Sequence, residues 1–119
     1  MTIQKFKARL KTSPLKVKFS DTISLIDQHF EFTPTAFKNG AIINDVGQNS
    51  GSCKIFAFAM HQHLSKEETL ACFGAYYFDE VLNAPQGSNH QNIRNFMKTG
   101  FEGLSFSGEA LTKTKSSII

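Results

Sequence analysis

The residues best suited to chemistry in this 119-residue chain lie in one glycine-rich segment, residues 47–54. The segment reads Gly-Gln-Asn-Ser-Gly-Ser-Cys-Lys and leads into an apolar run, residues 55–60, that is typical of a buried helix. Cys53 would lie at the N-terminus of that helix beside Lys54, where a thiol ionises readily and becomes a nucleophile. The alternative is a small hydrophobic core residue, because free cysteines are among the most buried residues in proteins.

Lys54 is the second unusual residue of this segment. A positive charge in the first turn opposes the partial positive charge of a helix N-terminus, so an anionic neighbour is expected, either an internal carboxylate or a ligand. The segment differs from a nucleotide-binding loop, which requires Gly-Lys-Ser/Thr in succession, because two residues separate Gly51 from Lys54 and Ile55 replaces the hydroxyl residue. Nucleotide hydrolysis is therefore disfavoured.

The same loop must satisfy the backbone N–H groups that have no partner at the start of its helix. Short polar side chains do this best, which makes Asn49, Ser50 and Ser52 the candidates for capping. We therefore expect Asn49 and Ser52 to support the structure even if a ligand binds nearby.

A second candidate cluster lies on a helix predicted over residues 89–99. His90, Arg94 and Lys98 are spaced by four and so form one ridge, which could bind an anion or could be a solvated basic face. His90 and Asn92 also offer a different chemistry. They could serve as the general base and the orienting amide for a Cys53 nucleophile.

Metal and cofactor sites are not predicted. His61 and His63 are two residues apart and point to different sides of a helix, and the two cysteines fit neither zinc nor redox spacing. No apolar run approaches the roughly 20 residues that span a bilayer, and the N-terminus lacks the apolar stretch of a secretory signal. These patterns favour a cytoplasmic protein.

The positive charge of the chain is concentrated near its start. The formal net charge is +3, yet residues 1–18 contain six Lys or Arg residues and no Asp or Glu. Such a segment could attract an acidic protein surface, which would make it a dispensable arm for a protein partner. The alternative is a helix docked on the core through Ile3, Phe6 and Leu10. Nucleic acid and membrane are disfavoured as partners, because base-stacking aromatics are missing and the apolar stripe is narrow.

The pattern of elements predicts an α+β fold, a predominantly helical single domain of about five helices with one or two short β pieces. Twelve Phe and no Trp predict a core built on phenylalanine. After the N-terminal helix, helices are expected at residues 21–31, 53–63, 66–82 and 89–99. Asn39-Gly40 predicts a hairpin turn, and the alternation of Leu104 and Phe106 with serines predicts a strand.

Local signals set the expected ends of these elements. Capping boxes are predicted for Ser65 with Glu68 and for Ser88 with Gln91. Gly74 would let another helix approach the 66–82 helix closely. The domain is expected to span residues 1–119 with its core at 5–111, and residues 112–119 are expected to form a frayed tail.

Three blocks of sequence carry a family resemblance. Residues 47–54, residues 70–77 (Leu-Ala-Cys-Phe-Gly-Ala-Tyr-Tyr) and residues 90–98 (His-Gln-Asn-Ile-Arg-Asn-Phe-Met-Lys) resemble the HopJ type III effector family, in the same order. The likeness covers residues 5–111. It implies a bacterial protein that is injected into a host cell, and it brings no biochemical activity with it. The chain departs from the family pattern at Phe78, Asn89 and Phe101, where a charged residue, Asp and Trp are usual.

Together these features predict a binding or interaction protein for a small anionic ligand or an unidentified protein. The site would lie where the starts of the 53–63 and 89–99 helices meet. Its candidate ligand-binding residues are Gln48, Asn49, Lys54, Asn92, Arg94 and Lys98. The alternative is a cysteine-dependent transferase or hydrolase that uses Cys53 as nucleophile and His90 as base.

Overall fold

A computed structural model describes residues 1–114 and has the predicted α+β class. Its α-helices are α1 (Ile3–Thr12), α2 (Phe19–His29), α3 (Ser50–Gln62), α4 (Lys66–Ala71) and α5 (Gln91–Thr99). Its short strands are β1 (Phe30–Phe32), β2 (Phe37–Asn39), β3 (Ile42–Asn44), β4 (Leu104–Phe106) and β5 (Leu111–Lys113). A π-helical segment, Tyr76–Val81, follows α4, and 3-10 turns lie at Pro14–Lys16 and Gly100–Gly103.

The strands form two small antiparallel sheets, so there is more β structure than the sequence predicted. One sheet has the order β3-β2-β4, and the other pairs β1 with β5. The second sheet corrects the prediction of a frayed tail from residue 112, because Thr112 pairs with Glu31 and Lys113 with Phe30. The rest of the predicted tail, residues 115–119, lies outside the described residues.

The core is built on phenylalanine, as predicted, with α3 at its centre. Ile55, Phe56 and Phe58 on α3 are fully buried. The Phe56 ring contacts the rings of Phe96 and Phe73, with centroids 4.9 and 5.5 Å away. Rings from neighbouring elements therefore converge on this helix and fix its orientation.

Helix α1 is part of this core and not a separate arm. Phe6 is fully buried against Phe58, with ring centroids 6.0 Å apart, and Leu10 is also buried. The Lys7 amine donates a hydrogen bond to the Gln62 carbonyl over 3.2 Å. The hypothesis that residues 1–18 form a dispensable arm is therefore wrong, because removing them would expose part of the core.

The hairpin forms one residue later than predicted. Its turn residues are Gly40 and Ala41, and Gly40 adopts a φ of 61°, a left-handed value that glycine tolerates best. Asn39 belongs to β2 and is completely buried. Its side chain has hydrogen-bond partners inside the protein, which outweigh the preference of Asn-Gly for the turn centre.

The long helix predicted at 66–82 is interrupted. It starts as predicted, since Glu68 donates its N–H to the Ser65 hydroxyl and accepts from the Ser65 N–H with its carboxylate. It ends at Ala71, and Gly74 has a φ of 60° before the π-helical segment begins. A Cβ on Gly74 would lie 2.8 Å from the Phe19 backbone nitrogen. The predicted close approach is therefore to the start of α2, which begins at Phe19 and ends at His29 instead of spanning 21–31.

Within residues 1–114, no helix is long and apolar enough to cross a membrane. The same residues contain no group of three or more His, Cys, Asp or Glu side chains placed to hold a metal ion.

Candidate functional site

The starts of α3 and α5 meet at a cavity of about 440 Å³, which we call the polar cavity. The start of α3 contributes Asn49, Gly51 and Ser52 to its lining, and the start of α5 contributes His90, Gln91 and Asn92. The fold thus brings together residues that are separated by about forty positions in sequence. A volume of this size is in the range of small-molecule sites.

Both helices begin at a residue with left-handed backbone geometry. Asn49 precedes α3 with a φ of 51°, His90 precedes α5 with a φ of 52°, and neither side chain makes a capping hydrogen bond. An N-cap side chain normally caps from an extended backbone, so this geometry explains why capping by Asn49 fails. The first backbone N–H groups of α3 and α5 have no side-chain partner among residues 1–114.

The other predicted caps at these helices are also wrong. Ser50 and Ser52 lie inside α3, and the Ser52 hydroxyl has no hydrogen-bond partner within the described residues. The capping box of Ser88 with Gln91 does not form, because the Gln91 side-chain amide donates to the Ser88 carbonyl oxygen.

His90 is held in place at the mouth of the polar cavity by two contacts from the π-helical segment. Its Nε2 lies 2.8 Å from a carboxylate oxygen of Glu80, and its ring centroid is 5.1 Å from that of Tyr76. The His90 side chain is about one quarter exposed. Because Nε2 donates to the Glu80 carboxylate, Nδ1 is the ring nitrogen left for a ligand, as an acceptor in the neutral ring and as a donor in the imidazolium.

Tyr76 also contacts Phe19, with ring centroids 5.1 Å apart in an edge-to-face arrangement. Phe19, Tyr76 and His90 therefore form a row, which we call the aromatic wall. Gly51 makes room for it, since a Cβ at that position would lie 2.8 Å from Cζ of Phe19. Sequence reasoning missed Phe19, Tyr76 and Glu80, and the only signal was the presence of Tyr76 in the second block of the family pattern.

Asn92 belongs to a hydrogen-bonded group that we call the asparagine cluster, formed by Asn39, Asn44, Asn49 and Asn92. The Asn92 side-chain oxygen accepts from the Asn39 and Asn44 amides over 3.0 and 3.1 Å. Its own amide donates to the Asn44 oxygen over 3.0 Å, and the Asn49 amide donates to that same oxygen over 2.6 Å. Asn92 and Asn49 therefore line the cavity while their side chains hold the protein together.

Cys53 does not line the polar cavity and lies in the core with about 1% of its surface exposed. Its Sγ donates to the Thr35 carbonyl oxygen over 3.5 Å, and burial raises the pKa of the thiol. The prediction of an easily ionised nucleophile is therefore wrong. Desolvation by burial outweighs the hydrogen bond to Thr35, which lowers the pKa, and it leaves a protonated, inaccessible thiol.

Lys54 has an internal partner. Its amine lies 2.8 Å from the Asp27 carboxylate and 5.0 Å from the centre of the Phe32 ring. Of the two explanations for a lysine in the first turn, the internal carboxylate applies, and Lys54 does not line the polar cavity.

The remaining predicted ligand-binding residues also lie elsewhere. Arg94 donates to the carbonyl oxygens of Asn89 and Ala84 and to the Asn89 side chain, so it fastens the loop before α5. Arg94 and Lys98 line a different cavity of about 390 Å³. Gln48 accepts a hydrogen bond from the Asp45 N–H and is exposed. Of the predicted ligand-binding residues, the polar cavity includes only Asn49 and Asn92, together with the predicted base His90.

Comparison with known proteins places this geometry in a family. Residues 3–111 match the family described as HopJ type III effector protein. The chain therefore belongs to the HopJ family. A crystal structure of VPA0580, described as a protein of unknown function, is similar to this HopJ chain with a TM-score of 0.93 and 50% identity, covering 96% of this chain and 95% of that one. None of the curated proteins matches.

The three residues that we expect to depart from the HopJ pattern have different surroundings. Phe101 packs edge-to-face on Phe96, with centroids 5.1 Å apart, so it is a packing residue. Asn89 binds Arg94. Phe78 lines a neighbouring cavity that shares Phe19 and Tyr76 with the polar cavity.

Proposed function

We propose that this HopJ protein binds a small molecule through an anionic group, such as a carboxylate, held in the polar cavity. The observation that carries the proposal is the convergence of two helix N-termini and His90 on one cavity. Each helix N-terminus presents free N–H groups and about half a positive charge, and both features favour an anion.

The charged side chains around the polar cavity support a site for a ligand group of low negative charge. Lys54 is neutralised by Asp27, and Arg94 is occupied with carbonyl oxygens, so no fixed lysine or arginine lines the polar cavity. The donors that remain for the ligand are backbone N–H groups, the Ser52 hydroxyl and, in the protonated ring, Nδ1–H of His90. Such a set suits a monocarboxylate better than a polyphosphate, which usually requires lysine or arginine.

Titration with sodium propionate, followed by calorimetry and by thermal unfolding, tests the proposal. A ligand at 100 times its dissociation constant stabilises the fold by about 2.7 kcal/mol. We expect propionate to stabilise the protein at saturating concentration and propionamide, its neutral isostere, to have a smaller effect.

His90→Gln is expected to weaken propionate binding at least threefold. His61→Gln is the matched control, because His61 is a histidine outside the polar cavity. Equal stabilisation by propionate and propionamide, or equal affinity of the two variants, would contradict an anion site at His90.

The family membership supports a further part of the proposal, in which the protein resides in the bacterial cytoplasm and is delivered to a host cell by a type III system. A fusion of the full chain to a host-activated reporter enzyme tests this in a bacterium with an intact secretion system. Delivery is expected from that strain and is expected to disappear in a secretion-defective strain. Equal reporter signals from the two strains would overturn it.

A further inference from the structure

A larger cavity of about 660 Å³ lies beside the polar cavity, and Phe19 and Tyr76 line both. We call it the apolar cavity, because most of its other lining side chains are apolar: Leu15, Val17, Ala75 and Phe78. The aromatic wall is therefore not the outer boundary of the candidate site. Two of its rings belong to the linings of both cavities, which are therefore neighbours.

We infer that the two cavities form one groove and that its ligand is an arylalkyl carboxylate, with the carboxylate in the polar cavity and the apolar body in the apolar cavity. This inference rests on the proposed function for the carboxylate end. It adds the chemical class of the rest of the ligand, which the polar cavity alone does not specify.

The exposure of the side chains along the groove supports an apolar occupant. Leu15 is 74% exposed and Tyr76 is 41% exposed, although both are large and line the apolar cavity. Covering them with an apolar ligand removes their surface from water, which favours binding. An aromatic body in particular can pack against the Phe19 and Tyr76 rings, since aromatic pairs gain energy beyond the area they bury.

The charges near the apolar cavity fit a ligand whose only charge is at one end. Lys18 and Asp79 both line this cavity, so its lining carries one charge of each sign. Lys18 and the start of α2 also favour an anion, but Asp79 and the Asp21 carboxylate in the first turn of α2 oppose them. The starts of α3 and α5 and His90, in contrast, line the polar cavity. This asymmetry orients the ligand, because a carboxylate placed in the apolar cavity would face Asp79 without the two helix N-termini.

Calorimetric titration with three probes tests the inference: 3-phenylpropionate, propionate and 3-phenylpropanol. We expect 3-phenylpropionate to bind at least tenfold more tightly than either of the others, because only it can fill both cavities correctly. Equal affinities of 3-phenylpropionate and propionate would overturn the inference and leave the proposed anion site intact. Equal affinities of 3-phenylpropionate and 3-phenylpropanol, or no binding of any probe, would overturn both.

A pair of surface variants locates the phenyl group without disturbing the core. Leu15→Ala is expected to lower the affinity for 3-phenylpropionate at least threefold and to leave the affinity for propionate unchanged. Val46→Ala is the matched control, since Val46 is 65% exposed and lies outside both cavities, and it should change neither affinity. If Leu15→Ala leaves 3-phenylpropionate binding unchanged, or weakens both acids equally, the apolar cavity does not hold the phenyl group and the inference fails.

Discussion

The asparagine cluster and the aromatic wall both border the polar cavity, yet they differ in how their polar groups are used. In the asparagine cluster, the Asn92 side chain uses its oxygen and its amide on buried neighbours. In the aromatic wall, Tyr76 is 41% exposed and one ring nitrogen of His90 is left for a ligand. The cluster therefore holds the start of α5 against the sheet, and the wall is the part that can receive a ligand.

The difference shows which polar residues near a cavity are available for binding. The side chains of Lys54, Arg94 and Asn92 are of types that commonly bind anions. Each of them instead bonds to another residue of the same chain. The groups that stay available are backbone N–H groups at two helix starts and the Ser52 hydroxyl. Such groups are harder to recognise in a sequence as binding groups. Availability is set by tertiary contacts, so the residue type alone is a poor guide.

The largest expected effect comes from breaking the asparagine cluster. Asn92→Ala should lower the free energy of unfolding by about 3 kcal/mol, because it removes three buried side-chain hydrogen bonds: those that the Asn92 oxygen accepts from the Asn39 and Asn44 amides, and the one that its amide donates to Asn44. Chemical denaturation measures this, with Asn95→Ala as the control on the same helix. Asn95 donates one 3.3 Å bond to the Gln91 carbonyl and should lose little. Similar losses in the two variants would show that the cluster does not hold α5.

The second prediction concerns the pH dependence of stability. It tests whether the Cys53 thiol is buried in the core, away from the polar cavity. Burial raises the pKa of Cys53 and of Cys72 above the ordinary value of 9.0, so both thiols stay protonated in the fold while the unfolded chain ionises. Their contribution to stability is present below about pH 9 and is lost as the pH rises above that value. Urea denaturation at about pH 8 and about pH 10 should show this loss, with a shallower slope for Cys53→Ala. An unchanged slope would indicate an exposed Cys53 thiol.

The third prediction tests whether Lys54 is fully occupied by its internal partner. Lys54→Ala should cost about 1 kcal/mol, since it removes a partly buried ion pair and the contact with the Phe32 ring. Propionate affinity should not change. A double-mutant cycle with Asp27→Asn should show that the two losses are not additive. Weaker propionate binding by Lys54→Ala would show that Lys54 takes part in ligand binding.

The smallest expected effects distinguish two neighbouring residues at the start of α3. Asn49→Ala should cost about 1 kcal/mol, because it removes the bond to Asn44 and places alanine in a left-handed conformation. Ser52→Ala should change the free energy of unfolding by less than about 0.5 kcal/mol, since its hydroxyl has no partner within residues 1–114. A larger loss for Ser52→Ala would mean that its hydroxyl supports the loop.

Much of the fold could be predicted from local patterns. The phenylalanine core, α3 and the capping box at Ser65 depend on residues close in sequence, and the structure confirms them. The errors occur where distant contacts decide. Strand β5 exists because β1 pairs with it, and the 66–82 helix breaks where Gly74 packs against the start of α2.

The position of the candidate site could be predicted from the sequence better than the identity of the residues that form it. The two helix starts were expected to meet, and they line one cavity. Phe19 and Glu80 lie on other elements, and their contacts with Tyr76 and His90 depend on how α2 and the π-helical segment pack. Helical or strand periodicity carries no information about such contacts.

The contact between Gly51 and Phe19 has a consequence for sequence evolution. The Phe19 ring occupies the space that a side chain at position 51 would need. A larger residue at 51 therefore requires either a displaced Phe19 ring or a smaller residue at 19, and we expect these two positions to covary among HopJ relatives. Relatives with a smaller residue at 19 would lose one ring of the lining that the two cavities share, so they should accept a different range of ligands.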